Sequence, residues 1–231
     1  MRTPRVRLRP GRIIALRTWM PVTHFNDLET RERMLDLEDR KSLRAALIAR
    51  RMGLDPATRE AAEQQIRRRL DDWLSHCGAG ARTIGITLPY RAEVDLRPWY
   101  AELHERGYQL ALAVAEQPQQ PLQYAQWAPG DAMERDRFGI DVPQRRLWCE
   151  PDVFVVPCVG FTTDCYRLGY GGGYFDRTLD LLSATRIQRP PVIGVAFGCQ
   201  QCDADEFRPA AHDLPLDAIA TEDRLFTRET A

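Results

Sequence analysis

The chain has 231 residues, 44% of them hydrophobic and 28% charged, which is the balance of a globular protein and excludes a disordered, fibrous or disulfide-rich secreted one. Such a length buries a continuous core without disulfide or metal staples. With 32 basic and 33 acidic side chains the net charge is -1, so no positive excess suits a general polyanion binder. The apolar runs are too short to span a bilayer, and neither nucleic acid nor membrane is expected as a partner.

In chain order, Arg2, Arg5, Arg7, Arg9, Arg12 and Arg17 precede the first acid, Asp27. Ile13 to Leu16 is too short for a signal-peptide core, and Pro4, Pro10 and the lack of serine fit a transit peptide poorly. The expectation is a loosely ordered basic extension over residues 1–30, a single α/β domain over 31–231, and a cytoplasmic location. Only one of the basic residues, Lys41, is lysine.

Leu35 to Met52 is spaced as an amphipathic helix, with Leu35, Leu43, Leu47 and Ile48 on one face and Arg40, Lys41, Arg44, Arg50 and Arg51 elsewhere. Asp55-Pro56 supplies an N-cap and a first-turn proline for a second helix reaching about His76, closed by Gly78 and Gly80. Thr83 to Leu88, Gln109 to Val114 and Leu122 to Trp127 predict strands, Leu96 to Arg106 a helix, and Gly130 to Arg146 mostly loop. Asp152 to Pro157 and Val192 to Phe197 are near-continuous apolar runs, typical of strands buried on both faces. Tyr174 to Ser183 predicts a helix between them. Strands alternating with helices imply a mostly parallel sheet with helices on both faces, a Rossmann-like three-layer arrangement. Such sheets bind ligands beyond the carboxyl ends of their strands.

Six cysteines are present. In a chain without a recognisable secretory signal they are expected to be reduced. Cys199 and Cys202 form a C-x-x-C, but no second cysteine or histidine pair follows at zinc-ligand spacing. His24, His76, His104 and His212 are scattered, and no Ser-His-Asp or Cys-His constellation is evident.

The stretch richest in chemistry is Arg167 to Arg177, RLGYGGGYFDR. Gly169, Gly171, Gly172 and Gly173 remove Cβ atoms that would keep an anion from the backbone N–H groups, and the helix that follows adds its positive dipole end. Neither a Walker A loop nor G-x-G-x-x-G fits it. Asp176, in the first helical turn, either complements the helix dipole or holds Mg2+ against gathered phosphates. Asp217, before Ala218-Ile219-Ala220, reads alone as a turn residue. Tyr170 and Tyr174 can stack on a flat ring or serve the core.

These residues resemble the 5-formyltetrahydrofolate cyclo-ligase (5,10-methenyltetrahydrofolate synthetase) family. RLGYGGGYFDR is similar to its nucleotide loop, with Phe175 in place of one residue of a tyrosine pair, and VPCVGFTTDCYRLG continues the match upstream. EDRKSLR (Glu38 to Arg44) resembles the basic helix motif, LPYRAEVD (Leu88 to Asp95) the folate segment, GVAFGCQ (Gly194 to Gln200) the next strand, and HDLPLDAIATED (His212 to Asp223) the C-terminal signature. The similarity covers roughly Asp39 to Phe226.

The resemblance implies an ATP- and Mg2+-dependent conversion of 5-formyltetrahydrofolate to 5,10-methenyltetrahydrofolate, ADP and phosphate. It assigns ATP to Arg44 and to Arg167, Leu168, Gly169, Tyr170, Gly171, Gly172, Gly173, Tyr174 and Phe175. Asp176 and Asp217 would hold the metal, and Leu88 and Glu93 the folate. The family's phosphate-contacting lysine lies four residues before the equivalent of Arg44, where this chain has Arg40, and Lys41 is displaced by one residue, about 100° around a helix. Either Arg40 substitutes or Lys41 reaches round. No catalytic side chain is expected, because the attacking nitrogen, N10, belongs to the substrate, and phosphoryl transfer needs mainly positioning and electrostatic stabilisation. The alternative reading is a non-catalytic nucleotide- or folate-binding relative. The sequence leaves open whether the protein is a monomer or a homo-oligomer.

Overall fold

The computed structural model describes residues 27–77, 80–210 and 213–228, with side chains from residue 38 onward. The chain divides into two compact units, Met1–Leu37 and Glu38–Ala231, and the second carries the sheet. Residues 1–26 of the expected extension lie outside the described residues, while Asp27 to Thr30 belong to the first helix.

Helix α1 spans Asp27–Met52, starting earlier than the expected Leu35 because no glycine or proline interrupts the stretch between Pro21 and Gly53. Helix α2 spans Pro56–Cys77. Its cap is as expected: Asp55 Oδ1 accepts the N–H groups of Ala57 at 3.1 Å and Thr58 at 3.0 Å, and the Thr58 hydroxyl together with these amides holds the Asp55 carboxyl below its ordinary pKa.

Strand β1 (Thr83–Ile86), helix α3 (Arg97–Glu105), β2 (Gln109–Val114) and β3 (Gln123–Trp127) follow, then a hairpin of β4 (Met133–Arg135) and β5 (Asp141–Pro143). Next come β6 (Val153–Pro157), a short hairpin of β7 (Gly160–Phe161) and β8 (Arg167–Leu168), α4 (Tyr174–Thr185), β9 (Val192–Val195), a 3-10 turn at Gly198–Gln200, β10 (Ala218–Ala220) and β11 (Leu225–Thr227). Among the described residues the main sheet runs β11-β10-β9-β6-β1-β2-β3. The inner pairings from β10 to β2 are parallel, and the edge strands β11 and β3 are antiparallel. This is the expected mostly parallel α/β sheet.

Alternation along each strand builds two cores. Ile84, Ile86, Leu110, Leu112, Val153, Val155, Ile193 and Val195 face one side, where they meet Ile66, Leu70 and Trp73 of α2 and Trp99 and Leu103 of α3. Phe154, Val156, Val192 and Ile219 face the other, packed on Leu179 and Leu182 of α4. Helices therefore cover both faces. A third cluster joins Leu47 and Ile48 of α1 to Val159, Leu168, Cys202 and Phe207, docking α1 on the segment that leads into the glycine loop.

The stretch expected to be mostly loop, Gly130 to Arg146, contains the β4–β5 hairpin. Its turn is built by Asp136, whose Oδ1 accepts N–H bonds from Phe138 at 2.8 Å and Ile140 at 2.9 Å, with Gly139 at φ +72°. Aspartate and glycine specify that turn locally. Alternation over three-residue strands is too brief to announce them.

Candidate active site

The carboxyl ends of β1, β6 and β9 open into three segments that meet: Leu88 to Asp95 after β1, the β7–β8 hairpin with the glycine loop after β6, and Phe197 to Gln200 after β9. Helix α1 supplies the side chains that bind them together. Arg40, Arg44, Leu47 and Arg51 follow one another at i+4, i+3 and i+4, which is one helical stripe.

At the glycine loop, Arg44 Nε donates to the Gly169 carbonyl at 2.7 Å. Gly171 (φ +89°) and Gly173 (φ +66°) hold left-handed backbone, and a Cβ built on Gly171 would stand 3.3 Å from the Arg44 guanidinium carbon. Only glycine adopts this course freely. Gly173 caps α4, leaving the first-turn amides of that helix facing the loop. The buried Arg167 donates to Asp176 Oδ1 at 2.7 Å and lies over the Phe175 ring. Arg177 Nη2 donates to the Gly172 carbonyl at 2.6 Å and covers Tyr174. The Nε atoms of both arginines are buried without a partner. One buried and one half-buried arginine, left-handed glycines and a helix N-terminus on one short loop form a cradle of the chemistry that takes a phosphate. Phe138, from the hairpin missed in the sequence, stands edge-on to Tyr174 with ring centroids 5.7 Å apart.

Beside the loop lies an acid pocket. Glu93 is 7% exposed. Its Oε2 accepts the Tyr90 N–H at 3.0 Å and its Oε1 the Tyr170 hydroxyl at 3.0 Å. Burial pushes its pKa up to about 7 against the opposing pull of the Arg51 guanidinium and those two hydrogen bonds. The turn that presents it is strained: Arg91 (φ 48°) and Ala92 (φ 60°) both hold left-handed backbone, at roughly 1–3 kcal/mol each. Arg51 Nε donates to the Arg91 carbonyl at 3.0 Å, Arg59 Nη1 to the Ala92 carbonyl at 3.0 Å, and a further Arg59 bond reaches the Arg51 carbonyl. Leu88 is partly buried against the core at the entry of this segment.

Arg51 is the residue that sequence reasoning misplaced. Expected off the apolar face, it is 0% exposed and donates to the carbonyls of Arg91, Cys158 and Tyr90 and to the Tyr170 hydroxyl, the last at 2.5 Å. The signal was its seven-residue spacing from Arg44 through Leu47. Gln200 also went unremarked; buried, it donates to the carbonyls of Cys158 and Val159, both at 2.8 Å, and its Oε1 accepts the Phe197 N–H.

The register of the basic helix is visible. Lys41 is solvated, 4.0 Å from Glu38 with 76% of its side chain exposed. Arg40, on the stripe of Arg44, donates to the Arg208 carbonyl at 2.8 Å, pairs with Asp213 at 3.4 Å and lies over Phe207. Its partners Phe207, Arg208 and Asp213 line a pocket of about 630 Å3.

The two aspartates expected to bind metal are held differently. Asp176 is bonded to Arg167, leaves 32% of its side chain exposed, and adjoins the cradle, which fits a single carboxylate beside a phosphate. Asp217 lies at the amino end of β10. Its Oδ1 pairs with Arg189 at 2.6 Å and its Oδ2 accepts the Val192 N–H at 2.7 Å. It therefore ties the starts of β9 and β10 together, with one hydrogen bond on each carboxylate oxygen. Among the described residues no group of three or more His, Cys, Asp or Glu side chains is arranged to hold a metal ion. The cysteines there are free, and burial raises the pKa of both Cys199 and Cys202, the reverse of an activated thiol.

The fold and site are those of a mostly parallel α/β protein with a glycine loop and a buried acid at the carboxyl ends of its strands. The chain belongs to the 5-formyltetrahydrofolate cyclo-ligase family, whose model matches residues 36–222. The 5-formyltetrahydrofolate cyclo-ligase of Mycoplasma pneumoniae is 29% identical over 188 residues, covering 80% of this chain and 99% of the relative. That of Mycolicibacterium smegmatis is 29% identical over 195 residues, covering 80% and 94%. Among solved structures, the 5,10-methenyltetrahydrofolate synthetase of Aquifex aeolicus superposes with a TM-score of 0.68 at 23% identity, over 83% of this chain and 94% of that one. At that identity the likeness is one of fold. No helix among the described residues is long and apolar enough to cross a membrane.

Proposed function

We propose that this member of the cyclo-ligase family closes 5-formyltetrahydrofolate to 5,10-methenyltetrahydrofolate at the expense of ATP, with Mg2+ on the phosphates, releasing ADP and phosphate. The observation that supports this reading most is the junction of cradle and acid pocket through one side chain, Tyr170, which bonds Glu93 from within the glycine loop.

An N-formyl group is amide-like and a poor electrophile, and its oxygen does not leave as hydroxide. Transfer of the γ-phosphoryl group to that oxygen makes phosphate the leaving group; N10 attacks the activated carbon and expulsion of phosphate completes the ring. Arg44, Arg167 and the amides from Gly171 to Tyr174 would gather the phosphates and stabilise the charge that spreads over the phosphoryl oxygens. Arg40 would reach the phosphate tail from the same helix face, and arginine binds phosphate bidentately where lysine acts as a point charge. Glu93 would accept the paired N–H donors of the pterin ring, with Leu88 beside it. Phe138 and Tyr174 offer an edge-to-face aromatic pair to a flat ring.

Asp176, beside the cradle, would hold Mg2+, and Asp217 would join it only through the lone pairs left by Arg189 and the Val192 amide. When bound, the cation supplies charge neutralisation across the phosphates. The oxygen route is testable directly: with 18O in the formyl group, the label should leave in the released phosphate. Label found in water instead would refute phosphorylation of the formyl oxygen.

A further inference from the structure

We propose that the Tyr170 hydroxyl couples the two halves of the site, so that filling the Glu93 pocket tightens nucleotide binding at the glycine loop and the reverse. This rests on the cyclo-ligase reading of the two ligands. It adds a positioning role for Tyr170, with Arg51 as its support.

The geometry is specific. Tyr170 sits in the glycine loop between Gly169, whose carbonyl Arg44 holds, and Gly171, whose left-handed backbone lies against the same arginine. Its hydroxyl accepts from Arg51 Nη2 at 2.5 Å and donates to Glu93 Oε1 at 3.0 Å. Arg51 is in turn fixed by the carbonyls of Tyr90, Arg91 and Cys158, so it cannot follow the loop if the loop moves. Tyr170 is 41% exposed as a residue; Tyr90 meets its ring edge-on at 5.6 Å and the Arg51 guanidinium lies over it. The loop's approach to the acid pocket therefore hangs on this hydroxyl and on little apolar packing.

The sign of the coupling follows from the carboxylate. An ionised carboxylate accepts about four hydrogen bonds, and here the Tyr90 amide and the Tyr170 hydroxyl use one on each oxygen. A ligand with two adjacent N–H donors takes the remaining positions without displacing the tyrosine. Its donors also hold Glu93 in the ionised form, to which a hydroxyl donates roughly twice as strongly as to a neutral acceptor. Ligand in the pocket thus draws Tyr170 in and orders the cradle, sparing the nucleotide that cost. Linkage makes the effect reciprocal.

The test is a binding cycle with the full chain, 5-formyltetrahydrofolate and a non-hydrolysable ATP analogue with Mg2+. The affinity for each is measured alone and with the other saturating, in the parent and in Tyr170→Phe, which keeps the ring and removes the hydroxyl with its bonds to Glu93, Arg51 and the Tyr90 carbonyl. The expected result is about 10-fold mutual tightening in the parent, within the usual range for coupled sites, falling below twofold in Tyr170→Phe. A general weakening of the fold would lower affinities without abolishing the ratio. Equal coupling in parent and variant, or none in the parent, overturns the proposal while leaving the cyclo-ligase reading intact. Failure of the parent to bind either ligand alone overturns both.

Discussion

Replacing Glu93 by glutamine tests the acid pocket through stability and binding together. The carboxyl is buried, with its pKa raised from 4.5 to about 7. Between those values the native state keeps a proton that the unfolded chain has released, so this group's contribution to stability falls as pH rises through that window and is constant above it. At about 1.36 kcal/mol per tenfold change in proton affinity, the cost above pH 7 is on the order of 3 kcal/mol. The groups facing the carboxyl are Arg51, the Tyr90 amide, Tyr170 and the buried Tyr100 and Cys158. Tyr100, Tyr170 and Cys158 keep their protons between pH 5 and 8, since burial raises both tyrosine pKa values and pushes that of Cys158 up to about 12. Glutamine keeps the shape and one acceptor without the charge. Urea unfolding should give similar stabilities for the parent and Glu93→Gln at pH 5 and a clear advantage for the variant at pH 8. Folate affinity at pH 8 should fall on the order of 10- to 100-fold, the worth of charge-assisted hydrogen bonds. Stability curves that stay parallel from pH 5 to 8 would show that Glu93 does not titrate in this range and would refute the argument.

Arg51→Met takes the counter-charge from the buried Glu93 and the donor from the Arg91 carbonyl, so chemical denaturation above pH 7 should show a loss of about 3–5 kcal/mol; a loss under 1 kcal/mol would mean that water fills its role. Asp176→Asn, which keeps an acceptor for the buried Arg167, should leave the melting temperature near the parent's and reduce ATP-dependent turnover on the order of 100-fold, as when one element of transition-state electrostatics is lost, with altered Mg2+ dependence. Asp217→Ala should act through stability, because it frees Arg189 and the Val192 amide, and a selective change in Mg2+ dependence there would restore it to the metal set. Arg40→Ala should raise the ATP concentration needed for half-maximal rate by about 10-fold or more, while Lys41→Ala, losing one exposed i,i+3 pair, should stay within about twofold; the reverse order in ATP titrations would assign the phosphate contact to the lysine.

The legibility of the fold followed the length and burial of its elements. β6 and β9, buried on both faces, are near-continuous apolar runs, and α2 is announced by Asp55-Pro56. The β4–β5 hairpin escaped because three alternating residues carry no period, although Asp136 and Gly139 dictate its turn. In the site, the glycine loop was visible because glycine excess is rare, whereas Glu93 alone reads as a surface carboxylate. Its burial depends on Arg51, and Arg51 was hidden by its charge: thirty-one arginines dilute the significance of any one, and hydropathy places a guanidinium outside. The i+4, i+3, i+4 stripe of Arg40, Arg44, Leu47 and Arg51 is legible only once a cation is allowed to face inward. Asp217 shows the opposite case, a residue brought in by resemblance alone whose local partners, Arg189 and Val192, are not adjacent in the chain.

The central claim is that the cradle and the acid pocket together make a folate-cyclising enzyme. The purified chain, mixed with 5-formyltetrahydrofolate and Mg-ATP, should develop the absorbance of the methenyl product, releasing one phosphate for each folate converted and requiring both ligands. An unchanged spectrum, with both ligands demonstrably bound, would contradict the claim and leave the chain a binding relative of the family.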